Sequence, residues 1–151
     1  MKTVRGWVVM IGLMCLVACG SSGTTGGGGT VDTDLVGDWR ILTETVYYDS
    51  GLTQQITPVT MLVVLDAAGT WQFGSSSGAW SVSTIETTDW TSWAIDDYGA
   101  TRKLTLDNWN SDTSKGPIDE PTGVIDNVWI IYSTTSDTLG TGTIWMKLGR
   151  S

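Results

Sequence analysis

The sequence contains no histidine, and this absence narrows the chemistry open to the chain. Histidine is the commonest general base near neutral pH and the commonest protein ligand for metals. Triads of serine, histidine and aspartate and histidine-containing zinc sites are therefore excluded. We expect no enzyme activity, no metal site and no cofactor.

Acidic residues are the remaining candidates for chemistry, and none of them forms a clear site. Asp119 and Glu120 lie together between two prolines, where an acidic pair is more often solvated than catalytic. The stretch 107–112 offers side-chain oxygens at alternate positions, as calcium loops do. In a loop that starts at Asn108, however, Thr113 stands where glycine is needed, and position twelve is aspartate rather than glutamate. We interpret this stretch as an ordinary polar loop.

Basic residues are scarce: eight lysines and arginines stand against 16 aspartates and glutamates, a net charge of -8. An acidic surface repels phosphate backbones and anionic headgroups, so we expect no nucleic acid among the partners. Any contact with a membrane should come from a lipid rather than from a basic patch.

Long apolar runs are also missing, since spanning a bilayer takes about 20 residues and the longest run, 7–17, is shorter. This run follows Lys2 and Arg5 and ends at the small residue Ala18. A charged start, an apolar centre and a small residue at the exit are typical of a secretory signal. We therefore predict a signal peptide at 1–18.

The residues Leu16-Val17-Ala18-Cys19 resemble the lipobox of bacterial lipoproteins, whose cysteine becomes the lipidated N-terminus. The resemblance implies that the Cys19 thiolate takes a diacylglyceryl group and that a further acyl chain, such as palmitate, follows. Two or more chains anchor a protein stably to a membrane. Gly20 is not the aspartate that retains such proteins at the inner membrane, so in a Gram-negative host we expect the outer membrane. An ordinary cleaved signal, with Cys19 as a spare thiol, is the alternative.

Three segments result: the signal 1–18, the lipidated cysteine with a tether at 19–34, and one domain at 35–151. Glycine, serine and threonine make up the tether from 21 to 30, which lacks the apolar area needed to order it. The chain has two cysteines, of which Cys15 leaves with the signal and Cys19 is lipidated. The core must therefore hold the domain without a disulfide.

Apolar and polar residues alternate with a period of two along the domain, which predicts β-strands. In the first strand this period places Trp39 and Tyr47 on one face and Glu44 on the other. The stretch 88–95 favours a strand with a bulge, and 108–123, with few apolar residues and two prolines, favours a loop. With no sustained helical period, we predict an all-β fold, an up-and-down antiparallel barrel or meander of about eight strands.

Gly37-Asp38-Trp39, at the start of the first strand, resembles the Gly-x-Trp of lipocalins and their calycin relatives. In that family the tryptophan plugs one end of the barrel, and a basic residue near the last strand packs across it. The resemblance implies a structural plug made of Gly37, Trp39 and Arg150, with Lys147 as the other basic candidate. It also implies a barrel that binds a small hydrophobic or amphipathic molecule.

Tryptophan is in excess, with nine in 151 residues. Most of these rings are expected in the core, because buried tryptophans contribute much of a small domain's apolar packing. Trp90, Trp93 and Trp109 lie in the least regular and most polar segments, so they are the rings that we expect to meet a ligand.

Three functions fit the sequence. The first is a membrane-anchored lipoprotein whose barrel binds a small molecule. The second is a β-sandwich that displays tryptophans outward to bind carbohydrate or protein, and the third is a structural envelope lipoprotein without a small ligand.

Overall fold

The computed structural model describes residues 29–49, 51–56, 60–93 and 99–151, and each of its strands runs antiparallel to its neighbours. The predicted signal peptide and Cys19 lie outside the described residues. The elements, in chain order, are a 3-10 helix (Thr33–Leu35), β1 (Gly37–Tyr48), β2 (Thr53–Ile56), β3 (Leu62–Leu65), β4 (Thr70–Phe73), β5 (Ser76–Thr84), α1 (Thr87–Trp93), β6 (Arg102–Trp109), β7 (Asp112–Asp119), β8 (Asn127–Ser136) and β9 (Gly140–Arg150).

The sheet closes on itself because β1 pairs with the last strand, β9, on one edge and with β2 and β3 on the other. Its pairing with β9 extends from Trp39 opposite Arg150 to Tyr48 opposite Gly142. On its other edge, β3 pairs with the first part of β1 and β2 with the last part, so these two short strands fill one position in the wall. Among the described residues the strands thus form a closed, eight-position, up-and-down barrel, which confirms the predicted fold class. No helix in this part of the chain is long and apolar enough to cross a membrane.

A β-bulge in β1 changes which side chains face the barrel interior. The register with β9 shifts between Ile41 and Thr43, and one extra residue reverses the alternation of inward and outward positions. Trp39 and Ile41 are buried before the bulge, whereas Glu44 is buried after it. Tyr47, predicted to share the face of Trp39, is exposed. The prediction of one uninterrupted alternation is therefore wrong, and Glu44 lies on the inner face.

Two segments form elements other than those predicted. The stretch Thr87–Trp93 is a helix rather than a bulged strand, and the Asp89 carboxylate caps it by accepting a backbone N–H at its start, at 2.8 Å. The stretch Asp112–Asp119 is strand β7 rather than part of a loop. Between β6 and β7, Asn110 and Ser111 both have positive φ, as in the two-residue turns that favour tight hairpins.

Large side chains fill the barrel from one end to its middle, and three of them are the buried indoles of Trp39, Trp71 and Trp80. A buried N–H without a partner would be costly, and each of these indoles donates to a backbone carbonyl. The acceptors are the carbonyl oxygens of Leu35, Asp107 and Asp66, at 2.9, 2.8 and 3.0 Å respectively.

The first described residues are bound to this filled end. Thr30 exchanges two backbone hydrogen bonds with Val82 of β5, at 2.9 and 2.7 Å. The Arg102 guanidinium forms an ion pair with Asp32 and donates two hydrogen bonds, of 2.7 and 2.6 Å, to the carboxylate of Glu120. Residues 30–34, which the sequence analysis assigns to the end of the tether, therefore pack on the barrel.

Candidate ligand-binding site

The filled end of the barrel is closed by a tryptophan beneath an arginine. The Arg150 guanidinium carbon lies 4.6 Å from the centroid of Trp39, and Arg150 Nη1 donates a 3.0 Å hydrogen bond to a backbone carbonyl before β1. Gly37 has φ of +140°, and a Cβ there would lie 3.1 Å from Arg150 Nη1. The structure thus brings together the three residues that the resemblance assigns to a plug. Lys147, the other basic candidate, lies over Trp129 on the outer face.

The opposite end is hollow. A cavity of about 260 Å³ opens there, inside the ring of strands. This volume is slightly below the range of about 300–1,000 Å³ that is usual for ligand sites, so the cavity suits a small molecule. Its walls include Glu44, Trp71, Phe73, Trp109, Tyr132 and Met146.

Four of these residues form one aromatic cluster centred on Trp109. The centroid of Trp109 lies 4.9 Å from that of Trp71, 5.4 Å from that of Phe73 and 6.3 Å from that of Tyr132. Ring contacts at these distances are attractive. An irregular register at the end of β6, where Asn108 has φ of +61°, precedes Trp109. Trp109, one of the three tryptophans expected to meet a ligand, therefore lies in the wall of the cavity.

The position of Trp71 depends on a close approach at Gly78. A Cβ on Gly78 would lie 2.1 Å from the carbonyl oxygen of Asp107 and 2.7 Å from Trp71 Nε1. These two atoms are joined by the 2.8 Å hydrogen bond that holds the indole. Only glycine leaves room for this bond across β5, and the bond fixes one wall of the cavity.

Glu44 supplies the carboxylate of the cavity and is only 8% exposed. It lies opposite Met146 of β9. The ion pairs among the described residues, all involving Arg102 or Lys103, do not include it. Burial raises the pKa of Glu44, because the charged form loses its hydration.

Tyr132 faces the same cavity and interacts with the charge of Glu44. Burial raises the pKa of Tyr132 to about 12, and the carboxylate adds to this shift, whereas a hydrogen bond with Trp109 opposes it. The cavity therefore holds one acid and one phenol among aromatic rings, and Ser76 and Asn110 add a hydroxyl and an amide to its lining.

Sequence reasoning missed Glu44 because it assigned this residue to the face opposite Trp39. A signal was present in the chain. The apolar residues of β1 stand at odd positions in Trp39 and Ile41 but at an even position in Val46. Such a change of phase indicates a bulge, and it would have placed Glu44 on the inner face.

The other two tryptophans expected to meet a ligand lie outside the barrel. Trp93 is buried in an outer groove of about 350 Å³ that reaches the rim of the cavity at Trp109. Trp90 packs edge to face against Trp93, with centroids 5.2 Å apart. Trp93 therefore adjoins the cavity without lining it, and Trp90 belongs to the helix that covers the outer wall.

A buried ion pair fixes α1 to this outer wall. Lys103 Nζ donates to the Asp89 carboxylate at 2.5 Å, and the two side chains are 9% and 8% exposed. Burial alone would raise the pKa of Asp89. Hydrogen bonds from Lys103 and from the Glu86 backbone N–H lower the pKa by more than burial raises it, so the net pKa lies below its usual range. Asp89 is therefore ionised and paired at neutral pH.

A second set of rings crosses the outer faces of three adjacent strands. Tyr47 and Trp145 have centroids 6.1 Å apart with planes at 79°, and Trp145 and Trp129 are 5.9 Å apart at 76°. Neighbouring rings thus meet edge to face. Their faces do not combine into one flat platform.

The acidic pair considered from the sequence is divided between two sets of partners. Glu120 binds Arg102 at the filled end, whereas Asp119 Oδ2 accepts a 3.1 Å hydrogen bond from Trp129 Nε1. The residues 107–112, compared above with a calcium loop, include the end of β6 and the hairpin turn. Over the described ranges, no three acidic or cysteine side chains are grouped as metal ligands would be.

Comparisons of the chain with protein-family models, with curated proteins and with solved structures each gave no match. The geometry of the cavity at the open end of the barrel, opposite Trp39 and Arg150, is therefore the main guide to function.

Proposed function

We propose that this protein is a membrane-anchored bacterial lipoprotein with a lipocalin-like barrel that binds a small amphipathic molecule in the open-end cavity. The observation that carries the proposal is the contrast between the two ends of the barrel. Trp39 and Arg150 close one end, while aromatic rings and a buried carboxylate surround a cavity at the other. Small-molecule sites typically combine apolar walls with a few polar groups in this way. The proposal is for binding rather than catalysis.

Anchoring rests on the lipobox-like residues that end at Cys19. The test is labelling of expressing bacteria with a tagged fatty acid, followed by recovery of the protein and of its membrane fraction. The wild-type protein and a Cys15→Ser variant should carry the label and sediment with membranes. A Cys19→Ser variant should do neither. Labelling that persists in Cys19→Ser, or is absent from the wild type, would remove the anchor from the proposal.

Ligand binding is tested by native mass spectrometry of the protein purified from expressing cells without denaturation. An added mass that disappears after organic extraction supports a carrier and identifies the molecule. The matched variant is Trp109→Ala, which removes the central ring of the cluster and should abolish the added mass. An added mass that survives this substitution would place the molecule elsewhere, and a bare protein would favour a structural envelope role.

The rings on the outer face favour a second candidate function, recognition of carbohydrate or protein. Tyr47 is 48% exposed, and Trp145 and Trp129 continue the row across β9 and β8. Sugars stack on ring faces, and the edge-to-face contacts of this row leave little continuous flat surface. Glycan binding that is lost in Trp145→Ala but kept in Trp109→Ala would favour this second function.

A further inference from the structure

The charge at the cavity wall narrows the class of ligand, an inference that rests on the proposed binding function. Glu44 is buried within the barrel without a cationic partner among the described residues. Uncompensated buried charges are costly in proteins and are usually paired or neutralised. Tyr132 is the titratable group that faces Glu44 from β8, and it is neutral at physiological pH because burial raises its pKa to about 12. No positive charge of the described residues therefore offsets the carboxylate of Glu44.

The aromatic rings around Glu44 attract cations, as its carboxylate does. The face of an aromatic ring is negative, and tryptophan attracts cations most strongly when the charge lies within about 6 Å of the ring centroid. Trp109, Trp71 and Tyr132 line the cavity that Glu44 also lines. A carboxylate beside several such rings is the combination by which proteins recognise ammonium groups.

We propose that the ligand is a small organic cation, with an amine or quaternary ammonium group on a short apolar body. Its charged group lies between Glu44 and the rings of Trp109, Trp71 and Tyr132. The bound cation would supply the partner that Glu44 lacks in the protein itself. The net charge of -8 on the whole chain would also attract cations and repel anions such as fatty acids. The cavity volume of about 260 Å³ favours a compact ligand over a long acyl chain.

The test compares three probes of similar size and different charge on the protein purified from expressing cells. The probes are choline, its neutral isostere 3,3-dimethylbutan-1-ol, in which carbon replaces nitrogen, and hexanoate. Affinities come from isothermal titration calorimetry. Proton NMR adds a geometric readout, because methyl groups held over ring faces shift upfield. Choline should bind at least about tenfold more tightly than the isostere, and its methyl resonance should shift upfield.

Three variants locate the effect. Glu44→Gln removes the buried charge and should reduce the preference for choline to below about threefold. Glu86→Gln makes the same chemical change at an exposed residue far from the cavity and should leave the preference intact. Trp109→Leu should remove the upfield shift of the methyl resonance.

The outcomes separate the ligand class from the proposed function. Equal or tighter binding of the isostere or of hexanoate, unchanged in Glu44→Gln, would overturn the cation proposal while leaving the cavity as a binding site. Failure of choline to bind would overturn the cation proposal, whereas the proposed function is decided separately by the added mass in native mass spectrometry. A preference for choline that persists in Glu44→Gln would place the cation away from this carboxylate, contrary to the proposal.

Discussion

The ion pair between Asp89 and Lys103 should stabilise the protein only while both partners are present. Their side chains are 8% and 9% exposed, so either one left alone is a buried charge that has lost its ion-pair partner. We expect Asp89→Asn and Lys103→Met each to lower the free energy of unfolding by about 3–5 kcal/mol. This is a large part of the roughly 5–15 kcal/mol typical of a domain. The double variant should recover most of the loss, because two neutral groups can replace a buried pair at little cost.

Urea denaturation of the wild type, both single variants and the double variant measures this coupling, with tryptophan emission and circular dichroism as independent probes. Asp38→Asn, an exposed aspartate on β1, is the control and should change stability by less than about 0.5 kcal/mol. The reasoning is refuted if the two single losses add in the double variant, or if each stays below about 1 kcal/mol.

Three further predictions concern the barrel. Because burial raises the pKa of Glu44, its ionisation destabilises the folded state as the pH rises from the unfolded carboxyl pKa to the folded one. Glu44→Gln should thus be more stable than the wild type at about pH 7, and this advantage should vanish below about pH 4 in paired urea titrations. Gly78→Ala should lower the free energy of unfolding by about 3 kcal/mol or more in thermal denaturation, because its Cβ would meet the Asp107 carbonyl oxygen at 2.1 Å. Arg150→Leu should cost about 1–2 kcal/mol in urea, since the cation over Trp39 and one hydrogen bond are lost.

Each of these predictions has a matched control. Glu86→Gln should show no such pH-dependent advantage, Ser77→Ala should leave the melting temperature nearly unchanged, and Arg40→Leu, at an exposed arginine, should cost less than Arg150→Leu. A constant stability difference for Glu44→Gln across pH would contradict the buried charge. A mild effect of Gly78→Ala would mean that β5 can move away from Asp107, and equal losses for the two arginines would contradict a special role at the closed end.

The barrel class was predictable because apolar and polar residues alternate along any strand that has one buried face. In β8, Val128 and Ile130 are buried and Tyr132 lines the cavity, at intervals of two. An uninterrupted alternation places Glu44 on the wrong face, and only the change of phase between Ile41 and Val46 indicates the bulge that turns it inward. The residues Gly37 and Trp39 lie before the bulge, where the predicted alternation holds, whereas Glu44 in the cavity lies beyond it.

Strand β7 was mistaken for a loop because it contributes small side chains to the wall. A Cβ on Gly116 would lie 2.0 Å from the carbonyl oxygen of Trp129, so β7 passes β8 too closely for a larger residue. Pro117 has no N–H to donate, and the register with β8 has no bridge between Lys115 and Ile118. Glycine and proline normally indicate turns, and here they mark a close approach of two strands.

Helix α1 was missed for a different reason. Its residues have no strong helical propensity, and three of its seven are threonine. Its stability comes from Asp89, which both caps the helix and binds Lys103, and from Trp93, which packs on the barrel. These contacts are tertiary and are not visible in the local pattern.

The hydrogen bonds between Thr30 and Val82 determine the end of the barrel at which the preceding chain joins it. They hold the start of the domain at the filled end, opposite the opening beside Glu44 and Trp109. For a protein anchored through Cys19, the predicted tether would then join the barrel at the end away from the opening. A ligand could enter the cavity without passing the point of attachment.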